Sequence, residues 1–437
     1  MKFRGLIVAA VVLAVLGGVL YWSQHHKPAE NAPSTATTAP IILKVDPASV
    51  TSLVVKQKGA APVTLTRAGA SQWKITSPGD YPADNPSVSS MLTSLAPLVS
   101  DSVVDEHASN VSQYGLSDPT LELDVTSKDN QTSHLLLGDD VPTGGDVYAQ
   151  VAGNPRVFTA PSYAKTSLNR SLNDLRDKRL LPVDSSSVSS IDLDRKGQAI
   201  AFARIQKGWQ IEKPQSYRSD NYQVDDLLSQ LTGAKWDPSV NAEDAGRDFS
   251  HATPVATAKL TGGFGNDTLE VRKEKDAYYA KSSAIPGAWK IDSSNASSLD
   301  ADLERGLDDY RNKQLFDFGY TDPEKIEYRS DATSIVLTRA DKTWMSNGRK
   351  MDSDSAEALV TAVRDLAAAK FVDSGFSNPT IDLTVTSDGG KRVEKVQLEK
   401  TKDGAIAKRD DGPSLYSLDS TTIAGLTDAI AGLKPAK

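Results

Sequence analysis

Histidine, carboxylate, glycine and tryptophan are the residue types through which this chain could do chemistry, and their spacing decides which chemistry stays open. The histidines are His25, His26, His107, His134 and His251. The first two adjoin and the others stand alone, so no pair has the spacing of an HExxH zinc site. Asp139, Asp140 and Asp146 could offer calcium several oxygen ligands. They lack the D-x-[DN]-x-[DN]-G pattern and closing glutamate of an EF-hand loop, and beside Gly and Pro they read as turn residues. Asp308, Asp309, Asp373, Asp410 and Asp411 read as surface or capping carboxylates. Glycines cluster in TGGD (143–146), TGGFGNDT (261–268) and SDGGK (387–391). The second cluster contains G-x-G, but it has no P-loop lysine and lies between two strand-like runs, so it reads as a hairpin turn. No GxSxG motif occurs. A carboxylate-dependent hydrolase stays open, because paired carboxylates need no sequence motif. The spacing assigns no catalytic, cofactor-binding or metal-binding residue and implies no cofactor; the partner-binding residues are unknown.

The tryptophans carry the plainest pattern. Trp73, Trp209 and Trp344 end the stretches VTLTRAGASQW, IAFARIQKGW and IVLTRADKTW. An arginine travels with each: Arg67, Arg204 and Arg339. An indole face can stack on a sugar or a peptide, so three of them could form a binding platform. A Trp that ends an alternating strand before a loop and a helix is expected instead to plug the joint between sheet and helix. The arginine is expected to lie on the solvent face or to pair with a carboxylate.

These residues recur because a whole unit recurs. The tryptophan period is far longer than a 20–50-residue solenoid repeat and matches a small domain duplicated in tandem. LKVDPASVTSL (43–53) returns as LPVDSSSVSSI (181–191), RDKRLL (176–181) as RNKQLF (311–316), and DPTLELDVTS (118–127) as NPTIDLTVTS (378–387). Three copies follow: residues 41–178, 179–316 and a shorter 317–437. In copy one, 52–57, 63–67 and 73–76 read as strands. Asp84 and Asn85 then cap a helix, with Pro86 in its first turn. Val88, Met91, Leu92 and Leu95 fall on one face of it. Copies two and three repeat this with Asp220–Asn221 before Val224, Leu227, Leu228 and Leu231, and with Asp352–Ser353 before Ala356, Leu359, Val360 and Val363. Further strands follow, such as Leu121, Leu123 and Val125 alternating with polar residues. A second helix closes each copy, at 163–175, 297–307 and 422–433. Strands that follow strands directly predict an α+β fold: three tandem units, each mainly antiparallel and strand-rich, with two helices per unit.

Composition bounds the setting. The chain has 437 residues, a net charge of −8 and no cysteine. The charge argues against a general nucleic-acid binder. Without cysteine there are no disulfides, thiolate metal sites or iron–sulfur clusters, no cysteine nucleophile and no lipidated N-terminal cysteine. Lys2 and Arg4 precede the uncharged run Leu6–Trp22. Tyr21 and Trp22 close that run where aromatic rings favour the lipid–water interface. A cleaved signal peptide would want small residues before its cut, whereas the exit here is LYWSQHHK. Residues 1–26 therefore read as a transmembrane anchor, one N-terminal transmembrane helix that the three units follow, inserted in the inner membrane through residues 6–22. The N-terminus is expected in the cytoplasm and the bulk of the chain in the periplasm or otherwise outside. Residues 27–40, rich in Pro, Ala and Thr, read as a flexible tether.

The layout resembles the bacterial domain-of-unknown-function family DUF4340. The residues that carry the resemblance are WKITSPGDYPADNPSVSSMLTSLAPL, YGLSDPTLELDV, LLLGDD…DVYAQV, RVFTAP and LRDKRLL, in order across 73–181. Copy two keeps WQIEKPQSYRSDNYQVDDLLSQL and RNKQLF but lacks the YGL segment, and copy three keeps DSGFSNPTIDLTV. The resemblance implies a membrane-anchored envelope protein, associated in many members with ABC-type transport systems related to gliding-motility components. It carries over no catalytic residue. The expectation is a non-catalytic accessory or scaffold protein of an envelope complex, with an envelope protein such as an ABC transporter component as partner and no nucleic acid. The alternatives are a periplasmic ligand-binding or sensing module, for example for envelope polysaccharide, and the hydrolase.

Overall fold

The computed structural model describes residues 39–319 and 323–437. The expected membrane segment 6–22 lies outside them, as does residue range 27–38 of the expected tether. Among the described residues no helix is long and apolar enough to cross a membrane. The chain divides into two compact units, one ending at Asp177 and the other Lys178–Lys437, so copies two and three share a unit.

Every strand pairing is antiparallel, and three large sheets follow one plan. In copy one the spine is Val50–Gln57. Val63–Arg67, Trp73–Ser77 and Tyr81–Pro82 lie in turn on one side of it. Leu121–Ser127, Thr132–Asp140, Val147–Val151, Val157–Ala160 and Ser102–Asp105 lie on the other. The spine is Val188–Arg195 in copy two and Lys325–Ser330 in copy three. A small fourth sheet joins Ile41–Leu43 to Leu98–Val99. Period-2 alternation sets the inner face: Leu53 sits between Leu65 and Val125 in register, and all three are buried.

Between the two halves of each sheet the chain crosses through a helix: Asn85–Ser94, Asn221–Gly233 and Ser353–Arg364. The aspartate of each expected cap forms it, whereas Asn85, Asn221 and Ser353 are the first helical residues. Asp84 accepts from Ser87 N at 2.9 Å, Asp220 from Tyr222 N at 3.0 Å, and Asp352 from Ser355 N at 3.1 Å. These carboxylates satisfy amide groups that the first helical turn leaves without partners. The expected apolar quartets are all buried against the sheets.

Copy three meets the two-per-unit expectation, with Ser420–Gly432 as its closing helix, and copies one and two depart from it. Copy one breaks its closing helix into Ser162–Leu168 and Leu172–Leu175, and copy two into Ser293–Glu304 and Leu307–Tyr310. At both breaks a new N-terminus is made, with Asp174 bonded back to Ser171 N and Asp309 to Gly306 N. Copy two also has a further helix, Ala242–His251, capped by Asn241. It packs on the outer face of the last three strands, at the end of the sheet where copies one and three carry one more strand. Ser102–Asp105 and Lys370–Val372 pair the last strands of copies one and three. Copy two keeps only the single bridge Trp236↔Ile291, and Phe249 and Ala245 of its extra helix pack on Ala288. The TGGFGNDT cluster is the expected hairpin: Gly262 pairs Gly265 across Gly263–Phe264, and Gly265 takes φ +100°, which suits a residue without Cβ.

Candidate functional site

The repeated tryptophans are core anchors. Trp73, Trp209 and Trp344 are 4%, 3% and 4% exposed, which leaves no indole face for a ligand. Each strand and helix grip the other through them. Asn85 accepts from Trp73 N at 2.8 Å and Asn221 from Trp209 N at 2.7 Å. The indole N–H of Trp209 donates to Asp225, and that of Trp344 to Glu357, each at 2.8 Å.

The repeated arginine is exposed at Arg204, as expected, and half-buried at Arg67 and Arg339, and to that expectation the structure adds a ring stack. Arg67, Arg204 and Arg339 lie over the rings of Trp73, Trp209 and Trp344, at 4.6, 4.3 and 5.7 Å from the centroids. Arg67 donates to the carbonyls of Val50 (2.6 Å), Ala70 (2.6 Å) and Pro47 (2.5 Å), and Arg204 donates to that of Val188 (2.9 Å). The guanidinium fork thus ties the loop before the spine to the tryptophan hairpin. Stacking of this kind is worth about 0.5–2 kcal/mol.

The histidine and acidic candidates separate on inspection. His134, isolated in sequence, pairs with Asp124 at 2.7 Å across two strands. Ligand atoms of Glu122, Asp124 and His134 lie within 4.8 Å of one another, the geometry from which a metal site could be built. Lys56 already binds both carboxylates, Glu122 at 2.6 Å and Asp124 at 2.9 Å. Its bond to Asp124 raises the Lys56 ammonium above its ordinary value. Burial would push the Asp124 carboxyl up, but the bonds from Lys56 and His134 hold it below the ordinary value. The group is a cross-strand ion cluster in which Lys56 bridges the two carboxylates. His107 lies beside Asp105, which accepts from its backbone N–H at 2.9 Å, and His251 lies in the last turn of Ala242–His251. Asp140 pairs with Lys165 at 2.6 Å, while Asp139 packs beside Gly115.

The densest polar constellation is the joint between copies two and three, inside the Lys178–Lys437 unit. Arg311, from the repeated RNKQLF segment, lies between the rings of Tyr217 (4.2 Å) and Phe371 (3.6 Å). It also pairs with Asp308 at 2.9 Å and donates to Ser414 at 2.8 Å. Copy one has the counterpart stack, Arg176 over Tyr81 at 4.1 Å. Arg218 donates to Gln314 O at 2.7 Å and pairs with Asp317. Arg409 and Glu394 are 3% and 4% exposed and lie 3.2 Å apart. Arg409 also binds Asp411 at 2.6 Å and donates to Leu315 O. Glu394 accepts from Asp317 N at 3.2 Å and pairs with Arg392 at 3.1 Å. Burial pulls the Arg409 guanidinium down, but the bond from Asp411 and the charges of Glu394 and Asp317 outweigh it and raise it. The same bond holds the Asp411 carboxyl below its ordinary value. Asp411 is a surface carboxylate, as expected, that also anchors the buried Arg409. Asp308 is likewise exposed and pairs with Arg311.

Sequence reading noted RDKRLL and RNKQLF as repeats without giving them a role. Their shared arginine and the leucine four residues on are the signal: one stacks on an aromatic ring, the other enters the core. Arg409 and Glu394 have no sequence signal for the joint, because the backbone groups they bind there, Leu315 O and Asp317 N, are remote in the chain.

The profile of a domain of unknown function, DUF4340, matches residues 73–210 and 209–385. No curated protein matches the chain significantly.

Proposed function

The chain belongs to the DUF4340 family, and on that premise we propose that it is a non-catalytic accessory or scaffold protein of an envelope complex, held at the inner membrane by residues 6–22. The partner is an envelope protein, with an ABC-type transport system as the complex that family resemblance favours. One observation carries the reading: the buried pair Arg409 and Glu394, with the more exposed Asp411, Arg218 and Asp317 around it, is spent on fixing one copy against the next. An enzyme needs charged groups aimed at a substrate; these are aimed at backbone and at one another. The arginine–tryptophan stacks support the same reading, since what the copies repeat is packing.

The tether would give reach. A flexible chain over 27–40 has ends about 20 Å apart, and anchoring raises effective concentration at the membrane. The test is complementation of a deletion strain. The anchored chain should complement, and an exported version lacking the anchor should fail at the same expression level. Full complementation by the anchor-free version would overturn the anchored-scaffold reading.

A further inference from the structure

The two helices of copy three enclose a groove of about 840 Å3 between Ser353–Arg364 and Ser420–Gly432. Its floor is small and apolar: Ala358, Ala362, Gly425, Leu426 and Ala429. Its ionisable lining side chains are Asp354, Glu357, Asp365 and Asp428, all carboxylates. The helix Ser420–Gly432 fully buries Leu426 alone, and leaves Ile423, Ala429 and Ile430 half-covered. Copy two builds the same place differently. There Asp226 pairs with Arg305 at 3.2 Å and draws the two helices together across the gap. Ala358 stands at the position of Asp226, as the alignment of Val224 and Leu227 with Ala356 and Leu359 fixes. Copy three has thus exchanged a closing ion pair for an open apolar floor with an acidic rim.

We propose that this groove is a docking site for an amphipathic helix of a partner protein, apolar along one face and flanked by Lys or Arg. The charge pattern selects that occupant. A helix laid in an apolar groove presents anchors at i, i+3, i+4 and i+7, and its flanking cations meet the four carboxylates. Complementary charge of this kind steers encounter and rejects wrong partners. A groove wall of twelve residues is roughly 18 Å long, room for about three turns of the incoming helix. The small floor residues let the backbones approach closely. The inference deepens the scaffold reading by stating what chemistry the partner must bring.

The test titrates full-length protein in detergent against a labelled helical peptide of about 18 residues, leucine on one face and lysine on the other, and against its leucine–glutamate counterpart. The lysine peptide should bind at least about tenfold more tightly, and it should slow hydrogen exchange in Ser353–Arg364 and Ser420–Gly432. Ala362→Trp fills the groove, and Asp365→Lys with Asp428→Lys reverses its rim. Each should weaken binding at least about tenfold. The rim variant carries the test if the filled one fails to fold. The same charge change outside the groove, Asp276→Lys with Asp331→Lys, should leave binding within about twofold. Equal weakening by that control pair, protection elsewhere in the chain, or self-association that Ala362→Trp abolishes would each overturn the proposal. These outcomes are independent of whether an envelope protein is found on the intact chain, so the scaffold reading stands or falls separately.

Discussion

Arg409 in copy three holds the register position that Ser282 holds in copy two, and both donate to the backbone carbonyl of an equivalent leucine. Ser282 pairs with Leu269, which pairs with Ala258; Arg409 pairs with Val396, which pairs with Leu383. Ser282 Oγ donates to Leu180 O at 2.5 Å, and Arg409 donates to Leu315 O. A small hydroxyl has been exchanged for a large buried cation at one point of a duplicated plan. Glu394 and Asp411 accompany the change, because a charge taken out of water needs partners.

Breaking this pair should be costly. Arg409→Ser restores the copy-two residue but leaves the buried Glu394 with only the half-exposed Arg392 as a charged partner, and should cost about 3 kcal/mol in chemical unfolding of the full chain. Glu394→Gln alone should cost a similar amount. The double variant should recover much of the loss, since it removes both charges together. Additive losses would show that the two side chains do not act as a pair.

The joint should also set an acid limit. The Arg409 bond holds the Asp411 carboxyl below its ordinary value of 3.8. A depressed folded-state pKa means that the unfolded state binds the proton first. Asp411 therefore contributes stability above about pH 4 and loses it as pH falls through its lower folded value. Asp411→Asn should flatten the stability–pH curve below pH ~4 and leave its slope near neutrality unchanged. A changed slope near pH 7 would contradict this assignment.

Trp209 should be the costliest of the repeated aromatics to empty in copy two. Trp209→Ala should destabilise the Lys178–Lys437 unit by about 3–5 kcal/mol, the range for deleting a large buried aromatic. Arg204→Ala should cost less, about 1–3 kcal/mol, as loss of a ring stack and of bonds to carbonyls. A negligible effect of Trp209→Ala on the denaturation midpoint would contradict its role as a core anchor.

Much of this fold was legible in sequence for physical reasons. The helices Asn85–Ser94, Asn221–Gly233 and Ser353–Arg364 declare themselves by an aspartate cap and four apolar residues on one face. The spine strands declare themselves by alternation. Helix Ala242–His251 was not legible, because it buries only Ala245 and Phe249 and its other residues are polar or small. The arginine–tryptophan stack was half legible: the residues recur in step, but nothing in their spacing says that the guanidinium turns back over the ring to bind carbonyls. Arg409, Glu394 and Leu315 were invisible as a set because the backbone fold alone brings them together. The groove of copy three was invisible for the same reason, since its floor is made by alanines and a glycine that stand out in no motif.

A protein truncated before Ile41 should fold alone. Among the described residues, the three large cores are built from residues 42–426. This fragment should be monodisperse in sedimentation and show cooperative unfolding. Aggregation at micromolar concentration would place part of the folding information upstream.

The central claim is that this chain works by holding another envelope protein. The most direct measurement is in-cell crosslinking followed by isolation of the full-length chain from membranes, with mass spectrometry of what accompanies it. The account predicts one or a few envelope proteins in fixed ratio to the chain, reduced by Asp365→Lys with Asp428→Lys. It is contradicted if the purified chain, alone, turns over a cell-envelope substrate and a single Asp or Glu substitution abolishes that turnover while leaving the fold intact.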